Sequence, residues 1–236
     1  MPKIAVNGTQ VSYTRAGSGA PIILLHSSAS SKEQWDAVRH RLQDRFEVLA
    51  ADLHGYGGAG DWRGPGQLTL SDEAALVAAL MDRCGEPVHL VGHSYGGAVA
   101  LRVALERPHQ LRSLTLIEPV AFHLLRDSGP VEAELFREIA DIATGVARSA
   151  ADGGYDDGMA HFIDFWNGAG TWARVRPETR ATLGRHAATV AKDFRATMNE
   201  QSLPAAYGWI NTPTQILCGA RSPLVAYAIA DRLDSV

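Results

Sequence analysis

The residues best suited to chemistry are Gly92-His93-Ser94-Tyr95-Gly96, a Gly-x-Ser-x-Gly pentapeptide set between two apolar runs. This spacing is the nucleophile-elbow pattern, in which a serine occupies a sharp strand-to-helix turn. Val88-His89-Leu90-Val91 supplies the strand, and Ala98 to Leu105 supplies a helix whose inner face is small or aliphatic. A side chain on either flank of such a turn would collide with the neighbouring backbone, which explains glycine at 92 and 96. At the hinge, Ser94 Oγ projects from the carboxyl end of the sheet as a nucleophile. The first helical amides, beginning with Tyr95 N–H, face the negative charge that develops on an attacked carbonyl. The competing reading is a glycine-serine turn with no chemistry.

A serine is too weak an acid to attack unaided, so a general base must take its proton and a carboxylate should orient that base. The strand, Gly-x-Ser-x-Gly turn and helix together resemble the α/β-hydrolase fold superfamily, and the resemblance extends over nearly all of Met1 to Val236. It implies an acyl-serine mechanism and places the remaining site residues at strand exits; no cofactor and no metal are expected. After the apolar strand Pro21–Leu25, the family carries His-Gly-x, whose last amide completes the oxyanion hole. That segment maps onto His26-Ser27-Ser28, with Ser28 N–H as donor and Ser27 departing from the usual glycine. The other reading is a serine-rich helix cap. Asp52 and the following Leu53-His54-Gly55-Tyr56-Gly57 resemble the family's Asp-x-x-Gly-x-Gly loop, whose role there is structural.

The family's acid commonly lies in a Gly-x-x-Asp segment after the strand before the last one. Here that segment is Gly219-Ala220-Arg221-Ser222, and Ser222 cannot act as a carboxylate. Glu118, in Leu116-Ile117-Glu118-Pro119, is therefore the candidate acid, against the reading of a structural carboxylate. A charge at the exit of an apolar strand is costly unless paired. Asp52 and Asp231 are weaker candidates. The family's histidine follows one further strand, yet no histidine follows His186. The chain is expected to lack that strand, the histidine loop and the last helix, on the order of thirty residues. His54 and His123 lie just beyond strand exits and head the list of substitute bases, with His26 behind them. His40 and His109 fall on connections, His161 and His186 in a helical insertion, His89 inside a strand and His93 in the turn; lone histidines are mostly structural.

The elements that must position these groups follow from patterning. Lys3–Val6 and Gln10–Thr14 alternate around Asn7-Gly8, a hairpin signal. Pro21–Leu25 reads as a central strand buried on both faces. A helix with Trp35, Val38 and Leu42 follows, then a strand over Phe46–Asp52, a helix from an N-cap at Ser71 to Gly85, the elbow, and a strand over Leu111–Ile117. The strand-helix alternation then stops. Helical periodicity predicts helices over Val131–Ala150, Met159–Trp166 and one or two within Pro177–Met198 before the pattern resumes at Thr212–Gly219, with Cys218 in a strand and a helix over Pro223–Leu233. The expected organisation is an α/β fold with a mostly parallel central sheet flanked by helices. Its core spans 1–120 and 209–236, and a helical cap spans 121–208. Phe162, Phe165, Trp166 and Trp172 gather in the cap, as packing or as pocket lining.

The 236 residues, 46% hydrophobic and 20% charged with net charge -4, describe an ordinary folded chain without a basic footprint for nucleic acid. No run approaches membrane-spanning length, so a cytoplasmic protein is expected. Cys84 and Cys218 make neither a disulfide framework nor a metal motif. An open sheet edge would favour a homodimer. The function expected is a serine hydrolase acting on carboxylic esters or related small acyl substrates. The alternatives are carbon–carbon bond hydrolysis or cofactor-free perhydrolysis at the same site, or a non-catalytic binding protein. Ser94 stands where epoxide hydrolase and haloalkane dehalogenase relatives carry aspartate, which disfavours their chemistry.

Overall fold

The computed structural model describes residues 2–236. Its strands are β1 (Lys3–Val6), β2 (Thr9–Ala16), β3 (Pro21–Leu25), β4 (Glu47–Ala51), β5 (Val88–His93), β6 (Leu111–Ile117) and β7 (Thr214–Leu217), in one sheet of order β1-β2-β4-β3-β5-β6-β7. β1 and β2 pair antiparallel, as do β2 and β4, and every other pair is parallel. Asn7 and Gly8 both take left-handed backbone, φ 47 and 77, which a two-residue hairpin turn demands. The helices are α1 (Asp36–Leu42), α2 (Leu70–Cys84), α3 (Tyr95–Glu106), α4 (Pro130–Ala151), α5 (Asp156–Asn167), α6 (Thr171–Arg174), α7 (Pro177–Gly184), α8 (Ala187–Met198), α9 (Pro204–Tyr207) and α10 (Leu224–Asp234).

β3 lies at the middle of the sheet and is buried along its whole length, as its unbroken apolar run predicts. Alternate residues face opposite layers: Ile23 and Leu25 join the large cluster with α2 and α3, while Ile22 and Leu24 pack with Trp35 and Val48. The fold is thus the expected α/β arrangement of a mostly parallel sheet flanked by helices.

Two local expectations are corrected. Helix α2 begins after Thr69 and not at Ser71: the Thr69 hydroxyl accepts from Asp72 N–H while the Asp72 carboxylate accepts from Thr69 N–H at 2.9 Å, a reciprocal capping box. Its other end closes on Gly85 at φ 72, as expected. Cys218 lies past the end of β7 and is half-buried, because β7 pairs only with β6 and leaves most of its residues exposed. Between β6 and β7 every regular element is helical. Residues 177–198 divide into α7 and α8 at Arg185-His186, and α6 and α9 are too short to carry a periodic signal. Among the described residues, no helix is long and apolar enough to cross a membrane, and no cluster of three or more His, Cys, Asp or Glu is placed to hold a metal ion.

Candidate active site

Ser94 sits between β5 and α3 with φ 53 and ψ -115, a conformation that a residue bearing a Cβ adopts only where its surroundings enforce it. Its N–H donates to Ile117 O at 2.9 Å, and its own carbonyl accepts from Gly97 and Ala98 at the start of α3. A Cβ at position 92 would stand 2.2 Å from Gly96 O, and one at position 96 would stand 2.5 Å from Leu25 O. The two glycines are therefore what allows β3, β5 and α3 to converge under the serine.

Glu118 follows β6 at the neighbouring strand exit, also with a left-handed backbone, φ 46. Its N–H donates to Leu217 O at 2.8 Å, and its Oε1 accepts from Gly219 N–H at 2.8 Å and from Ser222 Oγ at 2.5 Å. The turn that lacks a carboxylate of its own thus binds the one from β6. Oε2 makes no hydrogen bond with another described residue. Ser94 and Glu118 both border a cleft of about 140 Å3 together with Ser27, Ser28, His93 and Asn167.

A second, smaller cavity also borders Ser94. Ser28, Tyr95, Val120, Phe122, Phe162, Trp166, Asp193, Phe194 and Thr197 complete its wall. Phe122 stacks on Phe194, and Phe162 meets Phe194 edge-on, so this wall is an aromatic lattice. Of the four aromatics expected to gather in the insertion, Phe162 and Trp166 border this cavity; Phe165 packs edge-on against Trp166, and Trp172 is buried elsewhere. The Ser28 and Tyr95 N–H groups have no hydrogen-bond partner among the described residues, whereas Gly96 N–H is occupied by His26 O at 3.1 Å.

The histidines sort clearly. His54 is buried with Nδ1 2.8 Å from Glu73 Oε2, beneath Trp62, and His123 is buried with Nε2 2.9 Å from the Tyr207 hydroxyl. Neither borders a cavity at Ser94. Burial pushes the His123 imidazole down to about 4. Fully buried His26 accepts from Leu53 N–H through Nε2, so Nδ1 carries the proton and donates to Ser27 O. Burial likewise lowers its pKa. His93 borders the cleft, and its Nδ1 lies 3.0 Å from the Gln34 amide nitrogen. Because the Gln34 oxygen accepts from Ser27 N–H and Oγ, its NH2 must be the donor, and neutral His93 carries its proton on Nε2. Among the described residues, nothing hydrogen-bonds Ser94 Oγ.

The weaker acids also find their places. Asp52 is fully buried and accepts from Lys32 Nζ, Lys32 N–H and Gly58 N–H, so it fastens the loop after β4 to the turn after β3. Asp231 lies on α10 and borders neither cavity. Asp193 and Gln34 escaped the sequence reading. Asp193 carried a signal: it falls on the stripe Thr189, Val190, Phe194, Thr197 that faces inward from α8.

Compared with known proteins, residues 22–235 match the alpha/beta hydrolase family. The dihydrolipoyllysine-residue acetyltransferase component of the acetoin cleaving system of Cupriavidus necator is 38% identical over 129 residues, 54% of this chain and 34% of that protein. Lipase LipV of Mycobacterium tuberculosis is 35% identical over 108 residues, 44% of this chain and 40% of the lipase. The chain thus spans less than half the length of these curated relatives. An alpha/beta hydrolase structure from Sphaerobacter thermophilus superposes with a TM-score of 0.75 at 23% identity, covering 99% of this chain and 88% of that one.

Proposed function

Since the chain belongs to the alpha/beta hydrolase family, we propose that it is a serine hydrolase of carboxylic esters or related small acyl compounds, with residues 121–208 as a cap over the site. The observation that carries this reading is the convergence of the strained Ser94 and the half-satisfied Glu118 carboxylate on one cleft. Ser94 Oγ attacks the acyl carbon, and its proton passes to an imidazole that must enter the cleft between Ser94 and Glu118 from outside the described residues, since none of them hydrogen-bonds Ser94 Oγ. The carbonyl oxygen becomes an oxyanion held by Tyr95 N–H and Ser28 N–H. Collapse expels the alcohol, which takes the proton from the imidazolium. Water then hydrolyses the acyl-serine by the same steps in reverse order. Glu118 Oε2 orients the imidazole and stabilises its charged form, while the aromatic cavity receives the acyl chain.

His54 and His123 are buried away from that seat, each beside another polar group. A second reading, a binding protein without turnover, is favoured by one observation: no described residue hydrogen-bonds Ser94 Oγ. The two separate in a time course of p-nitrophenyl butyrate hydrolysis with and without added imidazole, beside fluorophosphonate labelling. The expected result is labelling at Ser94 and, after subtraction of the hydrolysis that imidazole catalyses without protein, turnover that imidazole raises in the wild type but not in Ser94→Ala. Glu118→Gln should lower that turnover by roughly 10²–10⁴-fold. Equal rates in wild type and Ser94→Ala, with no label at position 94, would establish the binding reading instead.

A further inference from the structure

Asp193 stands out in the wall of the inner cavity. It projects from the buried stripe of α8, is 2% exposed, and is the one acidic side chain in a lining otherwise made largely of aromatic and aliphatic groups. One carboxyl oxygen is fully engaged, with Oδ2 accepting from Tyr56 OH at 2.5 Å and from Ser28 Oγ at 2.6 Å. The other, Oδ1, is buried with no partner. A carboxyl whose only task was to tie Ser28 to Tyr56 would be expected to have both oxygens satisfied, because an unpaired buried polar atom is costly.

Resting on the hydrolase reading above, we propose that Asp193 is the specificity-determining residue of the site, its Oδ1 recognising a hydroxyl group carried on the acyl part of the substrate. Three properties of the wall lead there. Its apolar rings suit a short carbon chain, and Asp193, whose Oδ1 is unpaired, borders the same cavity as Ser94 and Ser28. Tyr56 and Ser28 both hold the carboxyl through Oδ2. Burial holds the Asp193 carboxyl well above the ordinary carboxylate range, with Glu73 adding in the same direction and the Tyr56 and Ser28 hydrogen bonds opposing. In that neutral form Oδ1 bears the proton, because Oδ2 already accepts twice. A hydroxyl accepts from the acid and would equally donate to the carboxylate, so it satisfies Oδ1 in either state. An ammonium group would require the ionised form that burial disfavours.

The test compares methyl butanoate with methyl 2-hydroxybutanoate and methyl 3-hydroxybutanoate, titrated calorimetrically into Ser94→Ala protein so that no turnover intervenes. At least one hydroxy ester should bind about tenfold more tightly than methyl butanoate. Asp193→Leu in the same background should abolish the preference. Asp193→Asn, whose amide oxygen replaces Oδ2 and whose NH2 replaces the Oδ1 donor, should retain it. Equal affinities for all three esters in the Ser94→Ala protein would overturn the proposal, even if Asp193→Leu failed to fold. A preference that survives unchanged in folded Asp193→Leu would overturn it too. Absence of fluorophosphonate labelling at Ser94 would count against the hydrolase reading alone, since the affinity comparison needs no chemistry.

Discussion

Glu118 shows how much a single residue's surroundings determine. With φ 46 it is held in a region that penalises a Cβ, and the hydrogen bonds to Leu217, Gly219 and Ser222 are what keep it there. Its polar neighbours satisfy one carboxylate oxygen and leave the other for a partner in the cleft. His123 shows the opposite outcome. Burial lowers its pKa to about 4, against about 6.5 for an unfolded chain, so between those values the unfolded state binds a proton that the native state refuses. Stability from this group is complete above pH 6.5 and declines as pH falls toward 4, by up to about 3 kcal/mol. Buried His26 acts in the same sense, whereas Asp193, held protonated, has the opposite slope. Urea melts of wild type and His123→Leu across this window should therefore show a smaller loss on acidification in the variant; parallel curves would contradict the buried-neutral assignment.

At the scale of elements, the elbow and the α2 cap illustrate two kinds of local constraint. Gly92 and Gly96 are required by backbone atoms of other elements, since an added Cβ would meet Gly96 O or Leu25 O at 2.2 or 2.5 Å, where nothing flexible can yield. Gly96→Ala should destabilise by roughly 1–3 kcal/mol and abolish labelling of Ser94, because β3 and α3 must separate to admit the methyl group. Thr69→Ala removes one half of the α2 capping box and should cost about 1 kcal/mol while leaving labelling unchanged. The pair, measured by denaturant melts and by labelling rate, separates loss of the turn from simple loss of stability. Equal labelling in both variants would show that the elbow tolerates a wider approach.

For the molecule as a whole, the two faces of the sheet are unequally covered. The face carrying Ile23 and Leu25 packs against α2, α3 and the helices between β6 and β7, whereas the face carrying Ile22 and Leu24 is met chiefly by Trp35, Leu42 and Phe46. A groove of about 380 Å3 runs along this second face beside Val91 and Ile117. Apolar grooves of this kind bind hydrophobic dyes in the folded state. The native protein is expected to enhance anilinonaphthalene sulfonate fluorescence, with light scattering run on the same samples. No enhancement from a monomer would show that the groove is closed in solution. A dimer without enhancement would agree with the homodimer anticipated from an exposed edge such as β7.

The sequence by itself determined the strand-turn-helix at Ser94, the Asn7-Gly8 hairpin, the buried central β3 and the point after β6 where helices replace the alternation. Each of these is a local pattern of apolar period and glycine placement, readable within a few residues. It also singled out Glu118, because an acid at an apolar strand exit conflicts with its immediate surroundings. Tertiary structure alone decided that Gly219 and Ser222 hold that acid, that His54 and His123 turn to Glu73 and Tyr207, and that Asp193 reaches Ser28 across 165 positions of chain. Such pairings depend on which elements meet in space. Hydrophobic periodicity indicates which face of a helix is buried, as it does for α8, but not which neighbour that face will meet.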